Sequence, residues 1–297
     1  MNRNANDSMT GFKYYVNLLR VRQWHKNAFV LLGFVALGDY GNIALLSRVL
    51  QCALQFALAS SAIYIINDFS DREADARHPV KCNRPLAAGT VAIPVALTLA
   101  AMLAVLSVIW ASTISYTLPL LIGAYLLNNV LYSIRLKHLP IIEMFQVAIG
   151  FMLRILAGTV GVGIAISEWM VLTGFALSLL IGFAKRYAEL GAYTNVDHQR
   201  HVLRYYSADT LRTFVTIMAA ATIMSYALYT LSSRSIELHG HTRLVYTVPL
   251  VTFGILRFLY LVEVNGGGED PASEVLKDRQ LLVTLGLWLF AYAYLTG

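Results

Sequence analysis

Charge is scarce in this chain. Asp, Glu, Lys and Arg make up 13% of its 297 residues, against 57% hydrophobic ones. That balance, with a mean hydropathy of +0.59, excludes a soluble domain and leaves almost no chain to build one beside a membrane region. Cysteine is rarer still: Cys52 and Cys82 are the only two. They are too few for a disulfide framework, so two free thiols are expected. Gly266-Gly267-Gly268 lacks the Lys-Ser/Thr that completes a P-loop and reads as a turn before Pro271. There is no Gly-x-Ser-x-Gly nucleophile and no dinucleotide fingerprint. His198 and His201 stand three apart without a third zinc ligand, which points to a solvated loop. No low-complexity tract occurs. No small-residue cleavage site follows the basic start, so no removable signal peptide is expected.

What the chain has in quantity is apolar length. A helical span needs about 20 apolar residues. The hydrophobic runs predict spans near 28–46, 50–66, 92–110, 117–134, 141–162, 169–184, 213–231, 245–263 and 281–296. The expected fold is all-α: a polytopic membrane protein of about nine transmembrane helices, with Asp39 interrupting the first. Small residues in Ala157-Gly158-Thr159-Val160-Gly161-Val162-Gly163 suit close helix packing.

The net charge of +6 follows topology rather than nucleic acid. Lys and Arg gather in the N-terminal segment (Arg3, Lys13, Arg20, Arg22, Lys26) and in loops 67–90, 135–138, 185–212 and 264–280. Loops 111–116 and 163–168 have none, while Arg48, Arg234 and Arg243 blur the other two. The positive-inside rule then places the N-terminus and the basic loops in the cytoplasm. Residues 1–27 are expected as a cytoplasmic interfacial segment of one integral-membrane domain, 1–297. The localisation expected is the cytoplasmic (inner) membrane.

The chemistry-bearing stretch is Asn67-Asp68-Phe69-Ser70-Asp71-Arg72-Glu73-Ala74-Asp75. On a helix Asn67, Asp68, Asp71 and Asp75 share one face. Three carboxylates so crowded repel one another and call for a cation. Oxygen-only ligands suit Mg²⁺, with Mn²⁺ as its substitute, and Mg²⁺ commonly bridges to substrate phosphates. The plainer reading is a solvated acidic turn. Lys81 and Arg84 follow in the same loop, placed to neutralise the outer oxygens of a metal-bound diphosphate, or simply as positive-inside flanks. Tyr132 and Lys137 close the fourth span, as ligands or as interfacial anchors. Lys185, Arg186 and Tyr187 leave the sixth and suit a sugar phosphate, although Lys185 and Glu189 also have ion-pair spacing. Arg20-Val21-Arg22-Gln23-Trp24-His25-Lys26-Asn27 is basic and aromatic. It reads as an interfacial anchor or as a grip on an anionic lipid headgroup. Arg154 lies inside an apolar span, where a lone charge is costly. Glu143, Gln146 and Arg154 fall on one helical face, so that stripe should point into the bundle.

Several separated motifs resemble the UbiA superfamily of intramembrane prenyltransferases over nearly the whole chain. These are Asn67-Asp68-x-x-Asp71-x-x-x-Asp75 and Tyr132-Ser133-x-x-Leu136-Lys137. The second Asp motif usual there is replaced by Gly182-Phe183-Ala184-Lys185-Arg186-Tyr187-Ala188-Glu189-Leu190. That departure is similar to the decaprenyl-phosphate phosphoribosyltransferase branch. Arg22-Gln23-Trp24-His25-Lys26-Asn27, His78-Pro79-x-Lys81-x-x-Arg84-Pro85, Arg154-x-x-Ala157-Gly158, Glu269-Asp270-Pro271 and Asp278-Arg279 resemble it too.

The resemblance implies helices around a polar cavity open to the cytoplasm. It implies 5-phosphoribosyl-1-diphosphate as donor, a polyprenyl phosphate as acceptor, and a precursor of lipid-linked arabinofuranose as product. Asp68, Asp71 and Asp75 would hold Mg²⁺ against the diphosphate. Lys185, Arg186 and Tyr187 would grip the donor, and Arg22 and Lys26 the acceptor phosphate. Membrane lipids are expected partners, nucleic acid is not, and a homo-oligomer is compatible with the sequence. The competing readings are a prenyl-diphosphate enzyme with an aromatic acceptor and a lipid transporter. Polar groups confined mostly to one face weigh against the transporter.

Overall fold

A computed structural model describes residues 13–192, 201–264 and 277–296. Arg3, His198, the triple glycine and Glu269-Asp270-Pro271 lie outside the described residues, as does the side chain of His201. Every regular element among the described residues is helical. A 3₁₀ segment, Val21–Leu31, runs into the short helix α1 (Leu32–Leu37). There follow α2 (Ile43–Ala76), α3 (Ile93–Ala111), α4 (Thr117–Ile134) and α5 (Ile142–Ala157). The rest is α6 (Glu168–Ala192), α7 (Ala208–Leu231), the short α8 (Ser233–His239), α9 (Val248–Val264) and α10 (Arg279–Thr296).

Seven of these stretches are long and apolar enough to cross a membrane, and the first and last helices are not among them. The run 28–46 is not one span. Gly38 ends α1 at φ 76°, and Asn42 opens α2 by accepting the Leu45 N–H at 3.0 Å. Two expected loops are helix instead. α2 continues through the whole acidic stretch to Ala76, and α6 carries Lys185 to Leu190. Hydropathy drops where polar side chains begin, but nothing there breaks a helix.

Large apolar side chains face outward on the spans, Met102, Leu120 and Phe253 among them. In a bilayer that surface meets lipid rather than water. Inside, Val30, Phe56, Ile63, Leu118, Ile122 and Tyr125 form one core. Met144, Leu180, Phe183, Leu211 and Phe258 form another. Asp278 caps α10 by accepting the Leu281 N–H at 2.8 Å and pairs with Arg257 of α9 at 2.8 Å. Both contacts, Arg257 first, hold its carboxyl below the ordinary carboxylate value.

The small-residue run works by contact, as expected. A Cβ on Gly158 would lie 1.8 Å from the Val30 carbonyl oxygen, and one on Gly33 2.7 Å from the Gly158 carbonyl oxygen. Here the 3₁₀ segment crosses the end of α5 backbone to backbone. Gly158→Ala is therefore expected to destabilise the protein by about 3 kcal/mol, because backbone on both sides must move. Thermal melts in detergent check this, with Gly123→Ala as the control. Nothing lies within 4 Å of a Cβ there, and its melt should match the parent.

Candidate functional site

α2 brings the acidic row to one end of the bundle, where helical spacing aligns it as expected. Asp68 and Asp75 are buried, and the Asp71 side chain is 40% exposed. None of the three stands bare. Asp68 Oδ1 accepts from Arg20 Nη2 and, at 3.2 Å, from Arg84 Nη1. The same Arg84 nitrogen donates to Asp75 Oδ2 at 2.6 Å. Lys137 Nζ donates to Asp71 Oδ1 at 2.5 Å. Ser133 donates its hydroxyl proton to Asn67 Oδ1. Thus Asn67, the three Asp residues, Arg84 and Lys137 do assemble.

The chemistry of this donor set suits a hard divalent cation. Two buried carboxylates, Asp68 and Asp75, face one shared cationic nitrogen. Mg²⁺ is commonly held by one or two carboxylates, with waters and substrate phosphates completing its octahedron. Among the described residues, no three His, Cys, Asp or Glu side chains converge into a metal-holding group. Asp71 is engaged by Lys137 instead.

Arg20 is the site residue that sequence reasoning passed over in favour of its neighbours. Its guanidinium also lies 5.0 Å from the Tyr64 ring centroid. Its backbone is left-handed, at φ 49°, and the only other described non-glycine residue with positive φ is Ile141, at 65°. Such conformations cost about 1–3 kcal/mol each and collect at functional sites. Both flank this cluster in sequence: Arg20 bonds the acidic row, and Ile141 follows the Lys137 turn. The Ile141 N–H donates to the Tyr206 hydroxyl at 2.5 Å.

A second cluster lies between α5 and α6. Arg186 donates to both carboxylate oxygens of Glu143, through Nε at 2.9 Å and Nη2 at 2.7 Å, and through Nη1 to Glu189 at 2.5 Å. All three residues are buried, Glu143 completely. Arg186 is thus neutralised by two acids, which departs from the expected grip on a sugar phosphate. Glu189 is claimed by Arg186, three residues before it. Lys185 and Tyr187 are half-buried on the same helix. Arg212 of α7 lies beside Tyr187, and its guanidinium meets Glu263 of α9 at 2.5 Å.

Arg154 does point into the bundle, as the polar stripe implied, and is 5% exposed. Its partners are neither Glu143 nor Gln146. It donates to Asn27 Oδ1 at 2.9 Å, to the Tyr125 hydroxyl at 2.9 Å and to the Gly150 carbonyl at 3.0 Å. Residues 24–27 accordingly pack against the helices. Asn27 is buried, and Trp24 donates to Ser61 of α2 at 3.1 Å. Arg22 is exposed, while Lys26, Lys81 and Tyr132 are half-buried.

A multi-pass bundle of apolar helices, with carboxylates and cations interleaved at one end, defines an integral membrane protein built to handle polar groups beside lipid. The chain belongs to the UbiA prenyltransferase family, whose model matches residues 27–275. It is similar to the decaprenyl-phosphate phosphoribosyltransferase of Mycobacterium tuberculosis, at 34% identity over 92% of this chain and 91% of that one. The protein of that name from Corynebacterium glutamicum is 36% identical over 93% and 84% of the two chains. A UbiA homologue from Archaeoglobus fulgidus solved with GPP and Mg²⁺ superposes with a TM-score of 0.71, over 95% of this chain and 98% of that one, at 20% identity. At that identity the likeness is one of fold.

Proposed function

We propose that this protein transfers the 5-phosphoribosyl group of 5-phosphoribosyl-1-diphosphate to a polyprenyl phosphate. The observation that carries this reading is the acidic row of Asp68, Asp71 and Asp75 interleaved with Arg20, Arg84 and Lys137. Relatives 34–36% identical over most of both lengths carry the name of that activity. An oxygen of the acceptor phosphate attacks the anomeric carbon. A new C–O bond forms there as the bond to diphosphate breaks, and the electron pair leaves with diphosphate. The acceptor oxygen is already anionic at pH 7, so no general base is needed.

The demanding step is departure of the diphosphate. Asp68 and Asp75 would hold Mg²⁺, which supplies charge neutralisation to the leaving group when bound. Arg20, Arg84 and Lys137 are then released from the carboxylates to meet phosphate oxygens. Lys81, Lys185 and Tyr187 would serve as further donor contacts, with Arg22 and Lys26 toward the acceptor headgroup. The site opens to the cytoplasm of an inner membrane, so a soluble donor and a lipid acceptor meet at the interface. The product is a polyprenyl-phosphoryl 5-phosphoribose.

Purified protein given radiolabelled 5-phosphoribosyl-1-diphosphate and a polyprenyl phosphate should move label into the organic phase and release diphosphate. Transfer of a prenyl group to 4-hydroxybenzoate, with phosphoribosyl diphosphate ignored, would overturn the proposal.

A further inference from the structure

We infer that Arg154, Asn27 and Tyr125 form an inner anion subsite that takes the 5-phosphate of the donor. The inference rests on the reading above and adds where the far end of that substrate sits.

Arg186, expected on the sugar phosphate, is spent on Glu143 and Glu189. Arg154 is the opposite case: it is buried, and it has no acidic partner among the described residues. A guanidinium carries five N–H groups. Three contacts, to Asn27, Tyr125 and the Gly150 carbonyl, leave two N–H groups over. Asn27 Nδ2 is also buried with no hydrogen-bond partner. The Tyr125 hydroxyl accepts from Arg154, and its own proton remains to donate. Every spare hydrogen-bonding group of these three residues is therefore a donor, and a phosphomonoester is all acceptor. The rings of Tyr125, Phe151 and Phe56 lie 4.6, 5.3 and 6.0 Å from the guanidinium carbon. They moderate the unpaired charge without cancelling it.

Position agrees with the shape of the donor. Ser133 marks the level of Asn67 on α4. Tyr125 lies eight residues earlier on that helix, about 12 Å deeper at 1.5 Å per residue. Phe56, about three turns below Asp68 on α2, packs its ring 5.2 Å from that of Tyr125 and so marks the deeper level on both helices. The diphosphate and 5-phosphate occupy opposite ends of the ribose, as the acidic row and Arg154 occupy opposite ends of this column. A terminal phosphomonoester can enter an enclosed site end-on. The acceptor phosphate carries a long tail that has to leave sideways into lipid.

The test compares two donors, 5-phosphoribosyl-1-diphosphate and ribose 1-diphosphate, which lacks the 5-phosphate. Wild type should prefer the first by about 100-fold or more in kcat/KM, since rejection leaves buried donors unpaired. In Arg154→Met that preference should fall below about 5-fold. Asn27→Asp guards against a misfolded variant, because it gives Arg154 a carboxylate of its own and should keep or raise the melting temperature. It should nevertheless lose the preference as Arg154→Met does, through a raised KM for the phosphorylated donor. A merely structural Arg154 predicts full discrimination in Asn27→Asp, and that result would overturn the inference. So would a wild type indifferent to the 5-phosphate. A wild type that turns over neither donor sinks the proposed function instead.

Discussion

Asp68→Asn is expected to lower turnover by about a thousandfold, the scale of losing one preorganised electrostatic contact at a reacting centre, with little change in melting temperature. The two halves have separate causes. Asn is the same size as Asp, and neutralising a carboxylate that is 2% exposed removes a desolvation cost. Its cation partners, Arg20 and Arg84, have side chains 25% and 29% exposed, so solvent can take up their freed N–H groups. The activity loss has no such compensation. Asp68 and Asp75 face one cation position, and a neutral amide there holds Mg²⁺ poorly. Excess Mg²⁺ should rescue only part of the loss, and excess chelator should stop the wild type. Asp71→Asn should cost less than Asp68→Asn, because its carboxylate is more exposed and is engaged by Lys137. Full wild-type activity in chelator would remove the metal from the reading.

The acidic row was legible because helical spacing is a geometric rule. Positions 67, 68, 71 and 75 share a face whatever surrounds them. The inward turn of Arg154 was legible for a similar reason: a polar stripe on an apolar helix has one side to hide on. Partners were not legible. Arg20 and Arg22 differ in the sequence only by order, and a left-handed backbone at Arg20 sends one to Asp68 while the other stays exposed. The break at Gly38 was half visible through Asp39, but the 3₁₀ form of Val21–Leu31 has no compositional mark. Arg186 shows this limit most clearly. Beside Lys185 and Tyr187 it looks like a phosphate grip, and the acid that claims it, Glu143, lies 43 residues away on another helix. Spacing rules do not reach that far.

Arg186→Met is accordingly expected to destabilise the protein by about 3–5 kcal/mol, the cost of stranding a buried charge whose partner has been removed. Glu143 is 0% exposed, and both its oxygens are satisfied by this one guanidinium. Glu189, with a side chain 10% exposed, loses this contact too. A buried ion network is a poor stabiliser against apolar residues of similar volume but a heavy liability when half of it is deleted. The triple replacement Glu143→Leu, Arg186→Met, Glu189→Leu should therefore recover most of the stability that the single change loses. Equilibrium melts of the two proteins in one detergent measure the difference. The network joins the first turn of α5, just beyond the strained Ile141, to the last turns of α6. Its loss should loosen the turn that carries Lys137 to Asp71, so the single variant should lose turnover with either donor alike. If Arg186→Met melts like the wild type and instead shows a raised KM for the phosphorylated donor alone, Arg186 faces substrate after all, and the 5-phosphate belongs at α6 rather than at Arg154.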